Sequence, residues 1–329
     1  MTAVPAVKVR DLRVKFVSRD ATIHAVNGVD LELAHGEVLC VLGESGSGKS
    51  VLLRSLMRLH PPRRTVMSGG IEVFGTDIAA ASDATMRDLR GRVVSIIFQE
   101  PMTALDPVFT IGRQITETIL RHEDVGHAEA RRRAWELLDR VQIPSAKRRL
   151  DSYPHELSGG LRQRAMIAIA LSCGPRLLLA DEPTTALDAT VQIQILILLR
   201  KLQQETGISM VFVTHDLGVA GEIADRIAVM YGGHLVEQGP VADVMAGPLH
   251  PYAQGLLGAT VHAGLRGQRL TAIPGSPPSG RQAPLGCSFA PRCTLVEPAC
   301  SDGVPAFRSP VPLRSARCVR VADRLAEPI

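Results

Sequence analysis

Between Val38 and Leu56 the chain reads VLCVLGESGSGKSVLLRSL. Its central run, Gly43, Glu44, Ser45, Gly46, Ser47, Gly48, Lys49 and Ser50, fits the spacing G-x-x-x-x-G-K-[ST], with an apolar strand pattern before it and a helical one after. The glycines let successive backbone N–H groups turn inward at phosphate oxygens, beside the positive end of the following helix. Lys49 adds a point charge for the β and γ phosphates, and the Ser50 hydroxyl is a ligand for Mg²⁺. A second segment, RLLLADE, ends in Asp181, placed to hold the Mg²⁺ shell, and Glu182, one residue further out. Glu182 is the expected general base, since a carboxylate in reach of the attacking water polarises it. A third, VFVTHDL, puts His215 at a strand end, where a γ-phosphate contact is expected. Between them, Ser158, Gly159 and Gly160 of LSGGLRQR offer bare N–H groups at a second helix start, a second anion site. One chain then has two phosphate-grasping devices for one γ-phosphate. Two chains facing head to tail would let each close on the nucleotide held by the other.

These residues need a frame. VLCVL, LLLA and VFV read as buried strands whose carboxyl ends carry the chemistry, and AMIAIALSC as a helix, which together make an α/β protein. From Gln99 to Glu156 the pattern becomes helical, with ITETILRHE and AEARRRAWELLDRV amphipathic; the Arg-rich face of the latter reads as solvated. A chain of 329 residues, 45% hydrophobic, can bury one large core and has material for a smaller second unit. No apolar run reaches the roughly 18–20 residues needed to span a bilayer, and the N-terminal segment lacks the apolar region of a secretory signal, so a cytoplasmic protein is expected. A net charge of +4 is too mild to argue for nucleic acid, and seven Phe, three Tyr and one Trp leave little for base stacking.

At LSGGLRQR the sequence resembles the ATP-binding-cassette ATPases, whose signature motif it matches with Leu161 in place of the commoner Gln. The resemblance spans roughly residues 5–245. It implies a phosphate-loop (RecA-like) core with an inserted helical subdomain at about 100–157 and an N-terminal antiparallel β region. It implies that ATP and Mg²⁺ are bound, with Ser50, Gln99 and Asp181 on the metal side. Gln99 would be the Q-loop residue, Asp188 of TTALD the D-loop, His215 the switch histidine, and Ser158, Gly159, Gly160 and Gln163 the signature turned to the partner's ATP. Phe16 is the expected stacking partner for adenine, with RDATIHAV read as a short hairpin insertion between it and the next strand.

The run IIFQEPMTALDP is similar to the Q-loop of the oligopeptide/dipeptide/nickel importer ATPases, GPLHPYAQGLLGA resembles their HPY segment, and AIPGSPPS their Pro-rich linker. That narrower resemblance implies a transport ATPase on the cytoplasmic face of the inner membrane, importing peptides, related solutes or nickel complexes. Its implied partners are a second cassette subunit, commonly a distinct chain, two membrane permease subunits and an extracytoplasmic solute-binding protein. It also implies a division into a nucleotide-binding domain, 1–258, and a C-terminal region, 259–329. A soluble cassette ATPase of DNA repair or translation is the competing class, but such proteins usually carry two cassettes or a long coiled coil. A phosphotransferase would leave LSGGLRQR without a role.

The C-terminal region holds Cys287, Cys293, Cys300 and Cys318 at C-x5-C-x6-C-x17-C, in a stretch where residues 274–312 include nine prolines. Cytoplasmic thiols stay reduced, which argues against disulfides. The spacing is neither a zinc ribbon nor a ferredoxin run, yet such loops can bring four thiolates to one centre. The family, some of whose members carry a [4Fe–4S] cluster, favours that cofactor, with Zn²⁺ or no metal as alternatives. Arg292, in the APRC turn, is expected to offset thiolate charge. Cys40 and Cys173 lie in apolar segments and read as core.

Overall fold

A computed structural model describes residues 4–185, 187–259 and 272–321 of the chain. The expected C-terminal region therefore falls partly outside the described residues, at 260–271 and 322–329. The chain divides into two compact units, one made of the residues up to Ala79 and those from Val213 onward, the other of Ala80–Phe212.

In chain order the first unit begins with β1 (Val7–Val17), β2 (Thr22–Leu33), β3 (Val38–Leu42), α1 (Lys49–Ser55), β4 (Thr65–Val73) and β5 (Thr76–Asp77). The second holds α2 (Asp83–Arg92), β6 (Val94–Ile97), α3 (Pro101–Ala104), α4 (Ile111–His122), α5 (His127–Arg140), α6 (Ala146–Arg149), α7 (Gly159–Leu171), β7 (Leu177–Asp181) and α8 (Ala189–Thr206). β8 (Ser209–Thr214) leads from it back to the first unit, which continues with α9 (Leu217–Ile223), β9 (Arg226–Tyr231), β10 (His234–Pro240), α10 (Val241–Ala246), α11 (Pro251–Gly258), β11 (Arg308–Val311) and β12 (Arg314–Ala316).

Two sheets carry the first unit. One is antiparallel, in the order β2-β1-β4-β5. In β1 the buried positions are Val7 and Val9, then Leu12 and Val14; the alternation changes phase at a bulge near Asp11, which adopts φ 42°. The segment RDATIHAV forms a hairpin: Ser18–Ala21 makes the β1–β2 turn, and TIHAV is the start of β2. The other sheet runs β11-β12-β10-β9-β3, with β3 and β9 parallel. All five residues of β3 are buried, as a continuous apolar run in a parallel strand requires. The C-terminal extension is built into this sheet, since β12 pairs with β10 through Glu237↔Ala316 and Gln238↔Ser315.

The second unit combines the strands β8-β7-β6, with β6 and β7 parallel, and the expected helices. Ile111, Ile115 and Ile119 form the buried stripe of α4, and Ala130, Ala134 and Leu138 that of α5, both at helical spacing. The Arg-rich face of α5 is paired rather than simply solvated. Arg132 bonds Glu129 and Glu136, Arg133 bonds Glu129 and Glu123, and Arg131 bonds Asp151. Hydrogen bonds from Arg132 and Arg133 hold the Glu129 carboxyl down at about 2.

Candidate active site

The phosphate loop links β3 to α1 through backbone that only glycine supplies. Gly43 has φ 156°, and a Cβ there would lie 2.2 Å from the Met230 carbonyl oxygen. Gly48, which starts α1 at φ 102°, would place a Cβ 2.3 Å from the Ala25 carbonyl oxygen. The loop is thus pressed against β2 and the end of β9. The turn after β9 ties it further, with the Gly233 N–H donating to Ser47 O at 3.0 Å.

Lys49 is buried and donates from Nζ to the carbonyls of Gly43, at 2.7 Å, and Glu44, at 3.0 Å. Ser47 is 4% exposed, and its hydroxyl is a buried polar atom with no hydrogen-bond partner. A burial of that kind calls for a ligand atom. With a caged ammonium and a helix start beside it, the loop fits a phosphate group.

Behind the loop lies a support that the sequence pattern did not assign. The Glu44 N–H donates to the Tyr252 hydroxyl at 2.8 Å, and Tyr252 is wholly buried. Its ring packs on Tyr231 at 4.5 Å and on Phe289 at 5.4 Å between centroids. His250 of the same HPY segment is fixed by its N–H, which donates to the Glu237 carboxylate at 2.8 Å, while its Nδ1 accepts from the Tyr252 N–H at 3.1 Å. Glu237 also accepts from Leu249 N–H and from Arg314, and burial pushes its carboxyl up. So the HPY segment is a brace on the phosphate loop. Its proline at the first turn of α11 was legible, but the target of its tyrosine, 208 residues away from Glu44, was not.

Elsewhere in the first unit, His215 is exposed just beyond β8. Next to it Asp216 caps α9, accepting from Gly218 N–H at 2.7 Å, which fixes the turn that carries the imidazole. Phe16 is half-buried on β1, with its ring edge-on to His60 at 5.4 Å.

The second unit assembles the carboxylate pair. Asp181 is the fully buried last residue of β7, and Glu182 follows at φ 46°, a left-handed conformation that a non-glycine residue holds only under constraint. Gln99 Nε2 donates to Glu182 Oε2 at 3.3 Å, and Thr185 Oγ1 donates to the same oxygen at 3.0 Å. Gln99 and Glu182 are therefore in hydrogen-bond contact. Thr185 is an addition, visible in hindsight as a hydroxyl three residues on.

Ser158 caps α7, with its hydroxyl accepting from Leu161 N–H at 3.4 Å, and it and Gly159 are exposed. A Cβ on Gly160 would lie 2.7 Å from Val191 Cγ1, so this glycine lets α7 approach α8. Asp188 caps α8, accepting from Val191 N–H at 3.0 Å. Gln163 is 1% exposed and its Nε2 has no hydrogen-bond partner, so its side chain turns into the unit and is not presented to a partner's nucleotide as expected.

The four C-terminal cysteines line one cavity of about 10 Å³, together with His250 and Phe289. That is about the space of a single water. None is in a disulfide. Burial pushes the Cys287 thiol up, and the Leu295 N–H donates to Cys293 Sγ at 3.4 Å. Among the described residues, no group of three or more His, Cys, Asp or Glu side chains is spaced to hold a metal ion. Arg292 does not face them to offset their charge. Its guanidinium bonds the Glu44 carboxylate of the phosphate loop at 2.7 and 3.1 Å. Cys40 is buried in β3, and Cys173 is half-buried after α7, as expected of core residues.

Residues 26–185 match the ABC transporter family, and residues 236–300 match the oligopeptide/dipeptide transporter C-terminal region. Provisionally named peptide import ATP-binding proteins of Brucella melitensis and Brucella ovis are each 48% identical over 97% of this chain and 98% of their own length. Among solved structures, an ATP-binding cassette seen as a dimer in a post-hydrolysis state with ADP and Pi is 30% identical, with a TM-score of 0.64 over 71% of this chain and 98% of that one. A cbiO1 protein of Clostridium perfringens, part of an ABC transporter complex, is 30% identical with a TM-score of 0.63 over 74% of this chain and 91% of that one. The chain belongs to the ATPases of the ABC transporters, in the branch that carries the oligopeptide/dipeptide transporter C-terminal region.

Proposed function

We propose that this ATPase powers uptake of peptides or related solutes, nickel complexes among them, at the cytoplasmic face of the membrane. It would work with a second cassette subunit, two permease subunits and an extracytoplasmic binding protein. The observation that carries the solute class is the HPY-bearing C-terminal region, in a chain whose relatives are named for peptide import. Partner docking is supported by Phe98, Met102 and Val108, apolar side chains left exposed around Gln99. Among the described residues no helix is long and apolar enough to cross a membrane, so the passage itself falls to other chains.

In this reading the loop from Gly43 to Ser50 grips the triphosphate, and Phe16 lies against the adenine. Mg²⁺, held by Ser50, Gln99 and Asp181, would neutralise charge on the phosphates. Glu182 accepts a proton from the attacking water as its oxygen bonds the γ-phosphorus and the bond to the ADP oxygen breaks; Thr185 and Gln99 orient the carboxylate. His215 contacts the γ-phosphate. Ser158, Gly159 and Gly160 serve the nucleotide of the facing cassette, and Asp188 stands in the loop between.

Cys287, Cys293, Cys300 and Cys318 would form a [4Fe–4S] ligand set. Their convergence on one cavity supports it. Anaerobically purified protein holding about four irons per chain and absorbing near 400 nm would establish the cluster. Colourless protein with one Zn²⁺, or with four alkylatable thiols, would remove it.

The central test is Glu182→Gln. ATP binding should persist while hydrolysis falls by about 10²–10⁴, the scale of a general base. Turnover equal to the unaltered protein removes Glu182 from the chemistry, and recovery of the complex with ribosomes or DNA instead of membrane subunits removes transport.

A further inference from the structure

The phosphate loop contains one anionic side chain, Glu44, and Arg292 reaches it from 248 residues away in sequence. The arginine side chain is 5% exposed and the glutamate 26%. Both ends of the guanidinium fork are used: Nη1 donates to Glu44 Oε2 at 2.7 Å and Nη2 to Oε1 at 3.1 Å. Nη1 also donates to the Tyr231 hydroxyl at 3.1 Å, Nε to Pro274 O at 2.7 Å, and Nη2 to Ile273 O at 3.4 Å. Two of these acceptors are linker carbonyls, so the arginine is held independently of the loop it grips.

An acidic side chain in a loop that must receive a triphosphate is unfavourable by simple electrostatics. Unpaired, the carboxylate would repel the incoming anion and compete for Lys49, whose Nζ already rests on the Glu44 carbonyl at 3.0 Å. The bidentate arginine cancels that charge and fixes the side chain in one geometry. With the Tyr252 hydroxyl accepting the Glu44 N–H, residue 44 is clamped at both backbone and side chain. Arg292 in turn belongs to the short turn Ala290–Arg292, whose next residue is Cys293 and whose N–H groups bond back to Cys287 O and Phe289 O. Where the guanidinium stands is therefore set by the cysteine-lined turn.

We propose that Arg292 is a positioning residue of the ATP site, through which the cysteine-bearing extension sets the charge and shape of the phosphate loop and hence its affinity for ATP. The proposal rests on the reading of this loop as the ATP site. Nothing in it requires the thiols to hold a metal.

The test is calorimetric titration of the full chain with Mg·ATP. Arg292→Gln should weaken binding by on the order of tenfold, the scale of one uncompensated charge at a partly buried site. That loss should shrink as salt is raised, because it is electrostatic. In a Glu44→Gln background the same Arg292→Gln change should cost no more than about twofold, because the charge it would leave uncompensated is already gone. A merely structural role for Arg292 would cost the same in both backgrounds. Should Arg292→Gln fail to fold, Arg292→Lys, which keeps the charge but not the fork, should give a smaller loss that again vanishes in the Glu44→Gln background. Cys293→Ser should lower affinity in the unaltered background and leave the Arg292→Gln, Glu44→Gln pair unchanged. Equal affinity of Arg292→Gln and the unaltered protein, or a loss on Arg292→Gln that is as large in the Glu44→Gln background, overturns the proposal. An equal effect of Cys293→Ser in both backgrounds overturns the link to the cysteines. If the unaltered protein does not bind ATP at all, it is the reading of the site that fails.

Discussion

His234 opens β10 and is 5% exposed, with Nδ1 3.3 Å from the Ser288 hydroxyl of the C-terminal extension. Burial, reinforced by the nearby positive charges of Arg317 and Arg13, pushes its pKa from the ordinary 6.5 down to about 4. The cavity it faces is also lined by Asp11, Lys15, His24 and Asp30. A histidine whose folded pKa is depressed stays neutral in the folded protein while the unfolded chain takes up a proton. Between pH 6.5 and 4 the unfolded state binds more protons, so stability is full above pH 6.5 and falls as the pH drops. The penalty comes to about 2 kcal/mol at pH 5 and about 3 kcal/mol by pH 4, at about 1.4 kcal/mol per pH unit separating the two states. His234→Gln keeps a polar group for Ser288 but cannot titrate. Urea unfolding of the two proteins from pH 7.5 to pH 4.5 should show the unaltered chain losing about 2.5 kcal/mol more than the variant. Parallel pH profiles would refute the assignment of this slope to His234.

Lys49→Ala should abolish the thermal shift produced by ATP, because it removes the caged ammonium; a shift equal to that of the unaltered protein would show that Lys49 is not a nucleotide ligand. Tyr252→Phe leaves the aromatic packing but strands the Glu44 N–H, and should cost about 1–3 kcal/mol in unfolding free energy, where no change would mean that the bond is not formed. Ser158→Arg should stop hydrolysis in the paired cassettes while this chain's own loop still binds ATP; full activity would place the signature away from the partner's nucleotide.

What could be read in advance was local. The phosphate loop, the strand ending in Asp181 and the amphipathic α4 and α5 each announce themselves within a dozen residues, because glycine geometry and apolar period act over that range. Composition alone makes the Arg-rich face of α5 a solvated one, yet Glu129 and Glu136 stand at i−3 and i+4 from Arg132, a pairing signal present in the sequence. Gln163 enters the expected site only through the motif resemblance, whereas helical rotation turns it inward. No local pattern could pair Arg292 with Glu44 or seat Tyr252 behind the loop, since those contacts depend on how the chain returns. Four cysteines at irregular spacing announced a shared destination, and the structure gives them one. Residue type alone could not say whether the destination is a cage or a packed pocket.

The two short strands at the end of the described chain have a consequence for the life of the protein before and after it folds. Without β12, β10 would end its sheet with a row of unpaired N–H and C=O groups flanked by buried Leu235 and Val236. Val236 O accepts the Arg317 N–H, and Leu235 O accepts from Arg317 Nε, so the extension closes that edge. Because β12 is made after β10, a nascent chain, or one clipped between them, would present a sticky β-edge until β12 arrives. The tail thus acts as a selvedge on the sheet, and losing it should appear first as aggregation during expression.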